Sequence, residues 1–414
     1  MLAVLTTHPI QNQIPIWKGL AARKNIPFKV LYMSDQGLTA RIDPGFSRSL
    51  SWDIDLLSGY ASEFIDTYEG PNLNSFWRLR LKQGFGRALR QMGAHVLWIQ
   101  GYQVAAYWQA VFAAQQLGTE VWLRGETNAR RDTNRIDRQF KRRLLRQLLR
   151  RVDNFLYIGE ANRQFYLGQG IAKERLAAAP YCVDNDRFAT AADAARPERN
   201  RIREEWGIPA DAFCFLFAGK FVASKRPLDL VEAARRLNLL QAKKIHLLWV
   251  GTGELGGELR RACYTNFDAE ITERGNATDA RNGPNASFVG FLNQSEMSRA
   301  YVAADCLVLP SDAKETWGLV VNEAMATGLP CIVSNACGCA EDLVEPIRPD
   351  LCYPAGDITA LQRAMTVAIT NTPPVELLRA HISKYDATRT IDTVEDLYFK
   401  ALARTTPKSD CVSE

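Results

Sequence analysis

Several features are missing from the 414-residue sequence, and each absence excludes a class of protein. It contains no run of about 18 apolar residues, so it predicts no transmembrane helix. No basic cluster precedes an apolar stretch in residues 1–15, so we expect no secretory signal. Nine cysteines, an odd number, then favour a reducing cytoplasm over a disulfide framework. Cys337 and Cys339 are the only close pair, and no further ligands stand at a spacing that would complete a metal site.

The composition is that of an ordinary globular enzyme. Hydrophobic residues make up 47% and charged residues 23% of the chain, which excludes a disordered chain, a collagen and a coiled coil. At about 100–200 residues per domain, this length predicts two or three domains. Charge is divided unevenly: residues 1–200 hold 28 basic and 18 acidic side chains, whereas residues 201–414 hold 23 and 28. The two halves are therefore expected to face different partners.

Short apolar runs alternate with longer amphipathic stretches, and the alternation starts afresh half-way along the chain. Strands separated by helices imply parallel sheets with helices on both faces, an α/β class. Residues 190–212 are polar and contain two prolines, which predicts a domain boundary near residues 185–205. The predicted strands are Leu2–Thr6, Phe28–Tyr32, His95–Gln100, Glu120–Leu123, Phe155–Ile158, Phe213–Ala218, Ile245–Val250, Ala286–Val289, Cys306–Leu309 and Cys331–Ser334.

Residues 135–151 form the most basic segment, with eight basic side chains and one acidic side chain. One interpretation is a helix that packs an apolar stripe on a sheet and points its arginines to water. The other, compatible with the first, is a basic surface that contacts an anionic membrane. The stripe recurs at every fourth position and consists of Ile136, Phe140, Leu144, Leu148 and Val152.

Two carboxylates and a predicted helix start follow the strand at 306–309. Glu315 lies in the loop after this strand, where open α/β sheets bind ligands. A helix beginning near Gly318 would offer unpaired backbone N–H groups to a phosphate. Glu323, in the second turn of that helix, could accept hydrogen bonds from a ribose. The alternatives are that Glu315 only complements the helix dipole and that Glu323 is an exposed helix residue.

Lys220 and Lys225 follow the strand at 213–218 and would reach the same sheet edge. Two lysines there can neutralise a diphosphate, and two solvated loop lysines are the alternative. Gly251 and Gly253 follow the next strand as G-T-G, which alone is a weak sign of dinucleotide binding. The simpler interpretation of these glycines is a tight strand-to-helix turn beside a nucleotide.

Three motifs stand in order in the second half of the chain. They are G-K-x4-K at Gly219–Lys225, V-G-x-G-E at Val250–Glu254, and E-x7-E at Glu315–Glu323. With these motifs, residues 211–370 resemble the nucleotide-sugar domain of family 4, retaining glycosyltransferases. The resemblance implies the GT-B fold, in which two Rossmann-like domains face each other across a cleft.

The resemblance also implies how the chain is divided. Residues 1–190 would form a Rossmann-like acceptor domain and residues 191–385 a Rossmann-like donor domain. Residues 386–414 would form a helix that returns toward the first domain, followed by a frayed tail.

Roles for single residues follow from the same resemblance. Lys225 and Lys220 would bind the donor pyrophosphate, although the family most often has arginine where this chain has Lys220, and a lysine offers a point charge rather than a bidentate grip. Glu315 would bind sugar hydroxyls near the anomeric carbon, and Glu323 would bind the ribose. The remaining donor-binding positions would be Gly219, Gly251, Gly253, Phe291, Thr316, Trp317, Gly318 and Leu319.

Three residues of the first half are candidates for the acceptor side. His8 follows the first strand and could contact the acceptor or the donor phosphate; a purely structural histidine is the alternative. Arg124 and Glu126 follow another strand, and an internal ion pair is the alternative for them.

The implied activity is transfer of a sugar, with retained configuration, from a UDP- or GDP-linked donor to a glycan or lipid-linked acceptor. We expect no metal, no cofactor beyond the nucleotide-sugar co-substrate and no nucleic-acid partner. The expected place is the cytoplasm, at the inner membrane face if the basic helix binds lipid, in cell-surface polysaccharide or glycolipid synthesis. The alternatives are a phosphorylase or epimerase of the same fold, a non-catalytic nucleotide-sugar-binding protein, and an oxidoreductase, which the incomplete G-x-G-x-x-G disfavours.

Overall fold

The chain forms two compact units, each built on one seven-stranded sheet whose strands all pair in parallel. The first unit comprises the described parts of Met1–Leu38, Leu56–Pro180 and Ala387–Glu414, and the second those of Thr39–Asp55 and Tyr181–Asp386. The computed structural model describes residues 1–38, 41–43, 48–50, 52–70, 75–128, 143–238, 244–270 and 283–405.

The first sheet has the strand order β11-β10-β9-β8-β1-β2-β5. Two short antiparallel hairpins, β3–β4 and β6–β7, are not hydrogen-bonded to this sheet. These strands are β1 (Leu2–Thr6), β2 (Phe28–Tyr32), β3 (Arg41–Asp43), β4 (Arg48–Leu50), β5 (Ser62–Phe64), β6 (Thr67–Glu69), β7 (Leu79–Leu81), β8 (Val96–Ile99), β9 (Glu120–Leu123), β10 (Asn154–Tyr157) and β11 (Leu176–Ala178).

Helices cover the first sheet and bury its central strands. All five residues of β1 and all four of β8 are buried, as expected of parallel strands covered on both faces. Trp17 meets Trp98 of β8 edge to face, with ring centroids 5.3 Å apart. The helices are α1 (Ile14–Arg23), α2 (Phe85–Gln91), α3 (Ala105–Gln116), α4 (143–149) and α5 (Glu160–Gly168).

The second sheet has the order β14-β15-β13-β12-β16-β17-β18. Aromatic side chains fill its centre: Trp249 stacks on Phe288 with centroids 6.0 Å apart, and Phe217 lies 5.3 Å from Trp249. The strands are β12 (Phe213–Ala218), β13 (Ile245–Val250), β14 (Tyr264–Asp268), β15 (Asn285–Gly290), β16 (Cys306–Leu309), β17 (Cys331–Ser334) and β18 (Cys352–Tyr353).

The last helix of the chain belongs to the first unit. It is α14, and Arg23 at the end of α1 donates to Asp392 at 2.5 Å and to Glu395 at 3.0 Å on it. The helices from the second sheet onward are α6 (Asn185–Ala195), α7 (Arg199–Glu205), α8 (Pro227–Asn238), α9 (Gly256–Ala262), α10 (Met297–Ala303), α11 (Leu319–Thr327), α12 (Ile358–Thr370), α13 (Val375–Ile382) and α14 (Ala387–Thr405).

The polar segment in which a domain boundary was expected is mostly helical and part of the second unit, since α6 and α7 occupy most of residues 190–205. Its charges are used for packing: Arg199 donates to Asp305 at 2.8 Å and Arg203 donates to Asp305 at 3.3 Å. The same carboxylate accepts the Cys214 N–H at 2.8 Å. The first unit gives way to the second between Pro180 and Tyr181, before the expected position.

A buried histidine lies in the middle of the second sheet. Ser287 donates its hydroxyl to the Trp206 carbonyl at 2.6 Å, so it accepts from His246 Nε2 at 2.8 Å. Nε2 of the imidazole therefore carries a proton. Burial, followed by the positive charge of Arg203, lowers the pKa of His246 to about 3.

This histidine predicts a loss of stability in acid. Its folded pKa lies below the ordinary value of 6.5, so the unfolded chain takes up the proton first, and the contribution to stability is lost as the pH falls from 6.5 to about 3. From pH 7 to pH 5, the wild type should lose about 2 kcal/mol more unfolding free energy than His246→Gln, whose amide can still donate to Ser287. Chemical unfolding followed by tryptophan fluorescence measures this difference. Equal losses in the two proteins would contradict the assignment.

Candidate functional site

The strand order of the second sheet places a switch point between β12 and β16. From β12 the chain moves outward through β13 to the edge, and it returns to β16 on the other side of β12. Ligands of open α/β sheets bind at the carboxyl ends of the strands at such a point. Lys220 and Lys225 follow β12, and Glu315 follows β16, so the predicted side chains share one sheet edge.

Lys225 and Glu315 form an ion pair in which Lys225 Nζ donates to Glu315 Oε2. The hydroxyl of Ser311 donates to the same oxygen at 3.2 Å. The lysine side chain is 28% exposed and the glutamate side chain 13%, so neither is a freely solvated group. An ammonium group has three N–H donors, so Lys225 can hold Glu315 and still donate to an incoming anion.

The loops after β12 and β13 pack backbone against backbone. The Gly219 N–H donates to the Val250 carbonyl at 2.9 Å. A Cβ on Gly251, where φ is 125°, would lie 2.0 Å from the Gly219 oxygen, and one on Gly253 would lie 2.7 Å from the Phe221 backbone. Gly251 and Gly253 are therefore required by this close approach, which supports the interpretation of G-T-G as a tight turn.

The N-terminus of α11 lies at the same sheet edge. Gly318 is its N-cap with φ 108°, and a Cβ there would lie 2.6 Å from Leu309 Cδ2. The first backbone N–H groups of a helix, here from Leu319 onward, have no partner within the helix. These donors add to the positive charge that Lys220 and Lys225 bring to this edge.

The loop after β17 supports the loop that precedes α11, a function that the sequence analysis missed. The Cys339 N–H donates to the Trp317 carbonyl at 3.1 Å, and a Cβ on Gly338 would lie 1.9 Å from the Thr316 oxygen. Burial raises the pKa of the Cys337 thiol to about 12, so it stays protonated. The signal was the glycine between two cysteines, which marks close packing.

The indole of Trp317 has a structural role, and its place among the donor contacts stays a prediction. Its indole is 2% exposed, and Nε1 donates to Asn322 Oδ1 at 2.8 Å. Asn322 in turn donates to the Tyr181 carbonyl at 3.2 Å. The indole packs against Tyr181 with ring centroids 6.0 Å apart. Thr316 beside it is half-buried, and its carbonyl is covered by Gly338.

Glu323 is not the exposed helix residue of the alternative interpretation. It lies partly buried on α11, where the hydroxyl of Tyr301 donates to Oε2. Burial raises the pKa of the Glu323 carboxyl, and hydrogen bonds from Tyr301 and Gln294 together with the charge of Arg187 oppose that rise. The carboxylate is therefore held in a defined polar setting.

Phe291, one of the predicted donor-binding positions, is half-buried just after β15 and remains a candidate. Phe288, three residues earlier, is buried and stacked on Trp249, so its ring belongs to the core.

The first sheet has its own switch point, between β1 and β8. His8 follows β1 there, and its Nδ1 lies 2.9 Å from the Thr7 hydroxyl. Burial, followed by the positive charge of Arg78, lowers the pKa of His8 to about 4. The imidazole is therefore neutral near pH 7 and can hydrogen-bond without carrying charge.

Arg124 is buried and holds backbone carbonyls, and its place on the acceptor side stays a prediction. Its side chain is 3% exposed and donates to the Ala179 carbonyl at 3.2 Å and to the Pro180 carbonyl at 3.1 Å. It therefore fixes the last residues before Tyr181. Glu126 is exposed and remains a candidate for the acceptor side.

The basic segment is described only from residue 143, so Ile136 and Phe140 lie outside the described residues. In α4 and just after it, Leu148, Leu149 and Val152 are buried, whereas Leu144 is 47% exposed. The buried stripe therefore differs from the predicted one at Leu144. Arg143, Arg146 and Arg150 point to solvent from this helix.

The described residues contain neither a metal-binding cluster nor a membrane-spanning helix. No group of three or more His, Cys, Asp or Glu side chains there could hold a metal ion. No helix in these ranges is long and apolar enough to cross a bilayer.

Two family models match the chain, and together they span most of it. The model described as "Glycosyl transferases group 1" matches residues 198–388, which contain the Lys225–Glu315 pair. The model described as "Glycosyl transferase 4-like domain" matches residues 65–182. Residues 198–388 therefore belong to the group 1 glycosyltransferases.

Curated relatives align with only part of this chain. D-inositol 3-phosphate glycosyltransferase 1 of Catenulispora acidiphila is 33% identical over 175 residues, which are 41% of this chain and 37% of that protein. UDP-Gal:alpha-D-GlcNAc-diphosphoundecaprenol alpha-1,3-galactosyltransferase of Escherichia coli is 26% identical over 232 residues, 54% of each chain. The alignments with these two thus span 37% and 54% of the relatives' length.

A solved structure resembles the fold of the whole chain. Alr3699/HepE of Anabaena, crystallised in complex with UDP, has a TM-score of 0.69 at 15% identity, covering 96% of this chain and 99% of that chain. Together with the two parallel seven-stranded sheets, this likeness confirms the predicted GT-B class.

The close approach of the loops predicts the effect of an added methyl group. Gly251→Ala should lower the unfolding free energy by about 3 kcal/mol, because it combines a positive φ with a backbone clash. Gly257→Ala on α9 is the matched control: the nearest atom to its Cβ is the end of the Arg261 side chain at 3.5 Å. That variant should be neutral or up to about 1 kcal/mol more stable. Chemical unfolding measures both, and equal stabilities would contradict the packing argument.

Proposed function

We propose that this chain is a retaining glycosyltransferase that moves a sugar from a UDP- or GDP-linked donor to a glycan or lipid-linked acceptor. The observation that carries the proposal is the Lys225–Glu315 pair at the switch point of the second sheet. A cation, a carboxylate and a helix N-terminus at one edge match the pyrophosphate and the sugar hydroxyls of such a donor.

Departure of the nucleoside diphosphate is the difficult step, because negative charge develops on its phosphate oxygens. Lys220, Lys225 and the first N–H groups of α11 stabilise this charge by fixed electrostatics. Donors held in place before the reaction need no reorganisation when the charge appears. In this proposal these groups make a divalent metal unnecessary.

Glu315 orients the reacting sugar through hydroxyls near the anomeric carbon, and Glu323 binds the ribose. The bond from the anomeric carbon to the phosphate oxygen breaks, and the bond to the acceptor oxygen forms on the same face. The departing phosphate oxygen takes the proton of the acceptor hydroxyl. No second carboxylate is needed as the nucleophile of a double displacement.

The first unit is the proposed acceptor side, with the neutral His8 and the exposed Glu126 as contacts. The Escherichia coli relative is named for an acceptor linked to diphosphoundecaprenol, which supports a lipid-linked acceptor for this chain. The exposed arginines of α4 would bring the enzyme to the inner face of an anionic membrane. Such a position fits cell-surface polysaccharide or glycolipid synthesis.

A donor screen with mutants tests the proposal. With UDP- and GDP-sugars, Glu315→Gln and Lys225→Ala should each lower the rate of sugar transfer about 100-fold, because each removes a charge that acts on the reacting centre. The matched control is Lys314→Ala, since Lys314 is an exposed lysine on the same loop. Product linkage analysis then reports the anomeric configuration.

The same screen distinguishes the alternatives. Nucleotide binding without transfer to any acceptor would indicate a binding protein, and turnover that needs inorganic phosphate would indicate a phosphorylase. A wild-type rate in Glu315→Gln would remove the role assigned to Glu315. Inversion of the anomeric configuration would contradict a retaining mechanism.

The membrane proposal has a separate test. Neutralising Arg143, Arg146 and Arg150 to serine should lower co-sedimentation with vesicles of anionic lipid at least about tenfold, because each charge near the surface contributes roughly 1 kcal/mol. The double variant Arg235→Ser, Arg236→Ser is the control, since both arginines lie on α8 and are already paired with Glu232. Unchanged sedimentation of the triple variant would leave α4 with a purely structural role.

A further inference from the structure

Three side chains outside the motifs hold the carboxylate of Glu323. Tyr301 donates its hydroxyl to Glu323 Oε2, and the side chain of Gln294, near the same carboxylate, lowers its pKa. Arg187 donates Nη2 to Gln294 Oε1 at 2.8 Å and Nη1 to the Gln294 carbonyl at 3.1 Å. One guanidinium thus fixes both the backbone and the side chain of Gln294.

The three side chains come from separate parts of the second unit. Arg187 lies on α6, Gln294 precedes α10, and Tyr301 lies within α10. Tyr301 is 2% exposed and Gln294 7%. The guanidinium of Arg187 also lies 4.2 Å from the centroid of the Phe188 ring, which packs edge to face on Tyr301. Their geometry is therefore fixed by packing rather than by the solvent.

The hydrogen bond from Tyr301 does not use all the acceptor positions of the Glu323 carboxylate. An ionised carboxylate has about four such positions, so at least two remain for the two hydroxyl donors of a vicinal diol even with Gln294 nearby. Burying a charge costs free energy, and a well-packed apolar side chain of similar volume often gives a protein the same stability. Packing alone therefore does not explain a carboxylate at this position. A specific ligand explains why the charge and its donors are present.

We propose that Arg187, Gln294 and Tyr301 are positioning residues that aim the Glu323 carboxylate at the 2′,3′-diol of a ribonucleotide, so that this site selects ribonucleotides over 2′-deoxyribonucleotides. The inference rests on the proposed function, since it takes the ligand of Glu323 to be the donor nucleotide.

The selectivity should depend on pH as well as on the three residues. Among the described residues, the charged or titratable groups that act on the Glu323 carboxyl are Arg187 from α6 and Tyr301 from α10. The anionic carboxylate accepts the ribose hydroxyls, so affinity falls as the pH drops through its pKa. Removing the Tyr301 hydroxyl removes a group that lowers this pKa, so the loss of affinity moves to higher pH.

Calorimetric binding of UDP, GDP and their 2′-deoxy forms between pH 5.5 and 8.5 tests the inference. Wild-type protein should prefer the ribonucleotide about tenfold, as expected for a hydrogen bond to a charged group. In Tyr301→Phe the preference should fall to about twofold or less, and the acid limb of affinity should move to higher pH. The donor KM should rise while kcat changes little, because the ribose is remote from the reacting bond.

Tyr353→Phe is the matched control, because Tyr353 is buried in the same unit and its hydroxyl has no hydrogen-bond partner among the described residues. Arg187→Gln should reduce the preference as Tyr301→Phe does, and Arg187→Lys should restore part of it. If Tyr301→Phe unfolds at a much lower temperature than the wild type, the comparison of Arg187→Gln with Arg187→Lys tests the inference instead.

The outcomes separate the two proposals. Wild-type protein that binds neither UDP nor GDP would overturn the proposed function and this inference with it. Wild-type protein that binds a nucleotide, while the variants keep its ribose preference and pH profile, would overturn the inference alone. Equal effects in Tyr353→Phe and Tyr301→Phe would also overturn it, because they would reflect general loosening of the core.

Discussion

Close contact between backbones at the carboxyl edge of the second sheet is the constraint on which the candidate site depends. Gly251 lies against the Gly219 carbonyl, and Gly338 lies against the Thr316 carbonyl, with no space for a Cβ at either position. These contacts fix the loops that follow β12 and β16, and the Lys225–Glu315 pair forms between those loops. A charge that is already in place before a ligand arrives contributes more than one that must be ordered on binding.

Local charge, rather than net charge, explains where the anion site lies. Residues 201–414 carry more acidic than basic side chains, yet the proposed diphosphate contacts are there. Screening limits the reach of exposed charges to about 10 Å at ordinary ionic strength, so distant carboxylates weigh little beside two lysines and a helix N-terminus. Some of the acidic groups are also neutralised by ion pairs within the second unit, as Asp305 is by Arg199 and Arg203.

The central strands of both sheets were predictable from the sequence, and the edge strands were not. All ten predicted strands are present, with ends within one residue, because strands covered on both faces leave continuous apolar runs in the sequence. The edge strands β5, β11, β14 and β18 were missed, since they are short or partly exposed and lack that pattern. The helices of residues 185–205 lie where the polar composition predicted a domain boundary, because their arginines pair with carboxylates and carbonyls that lie far away in the chain.

The sequence by itself determined the α/β class, the order of the strands along the chain and the motifs that place lysines and carboxylates after strands. Only the tertiary structure decided which of those side chains are available. Trp317 and Arg124 follow strands as the other candidates do, yet both are buried and bonded to neighbouring groups. Position after a strand fixes the sheet edge at which a residue lies. The direction and burial of its side chain depend on packing against segments that are distant in the chain, as does the network around Glu323.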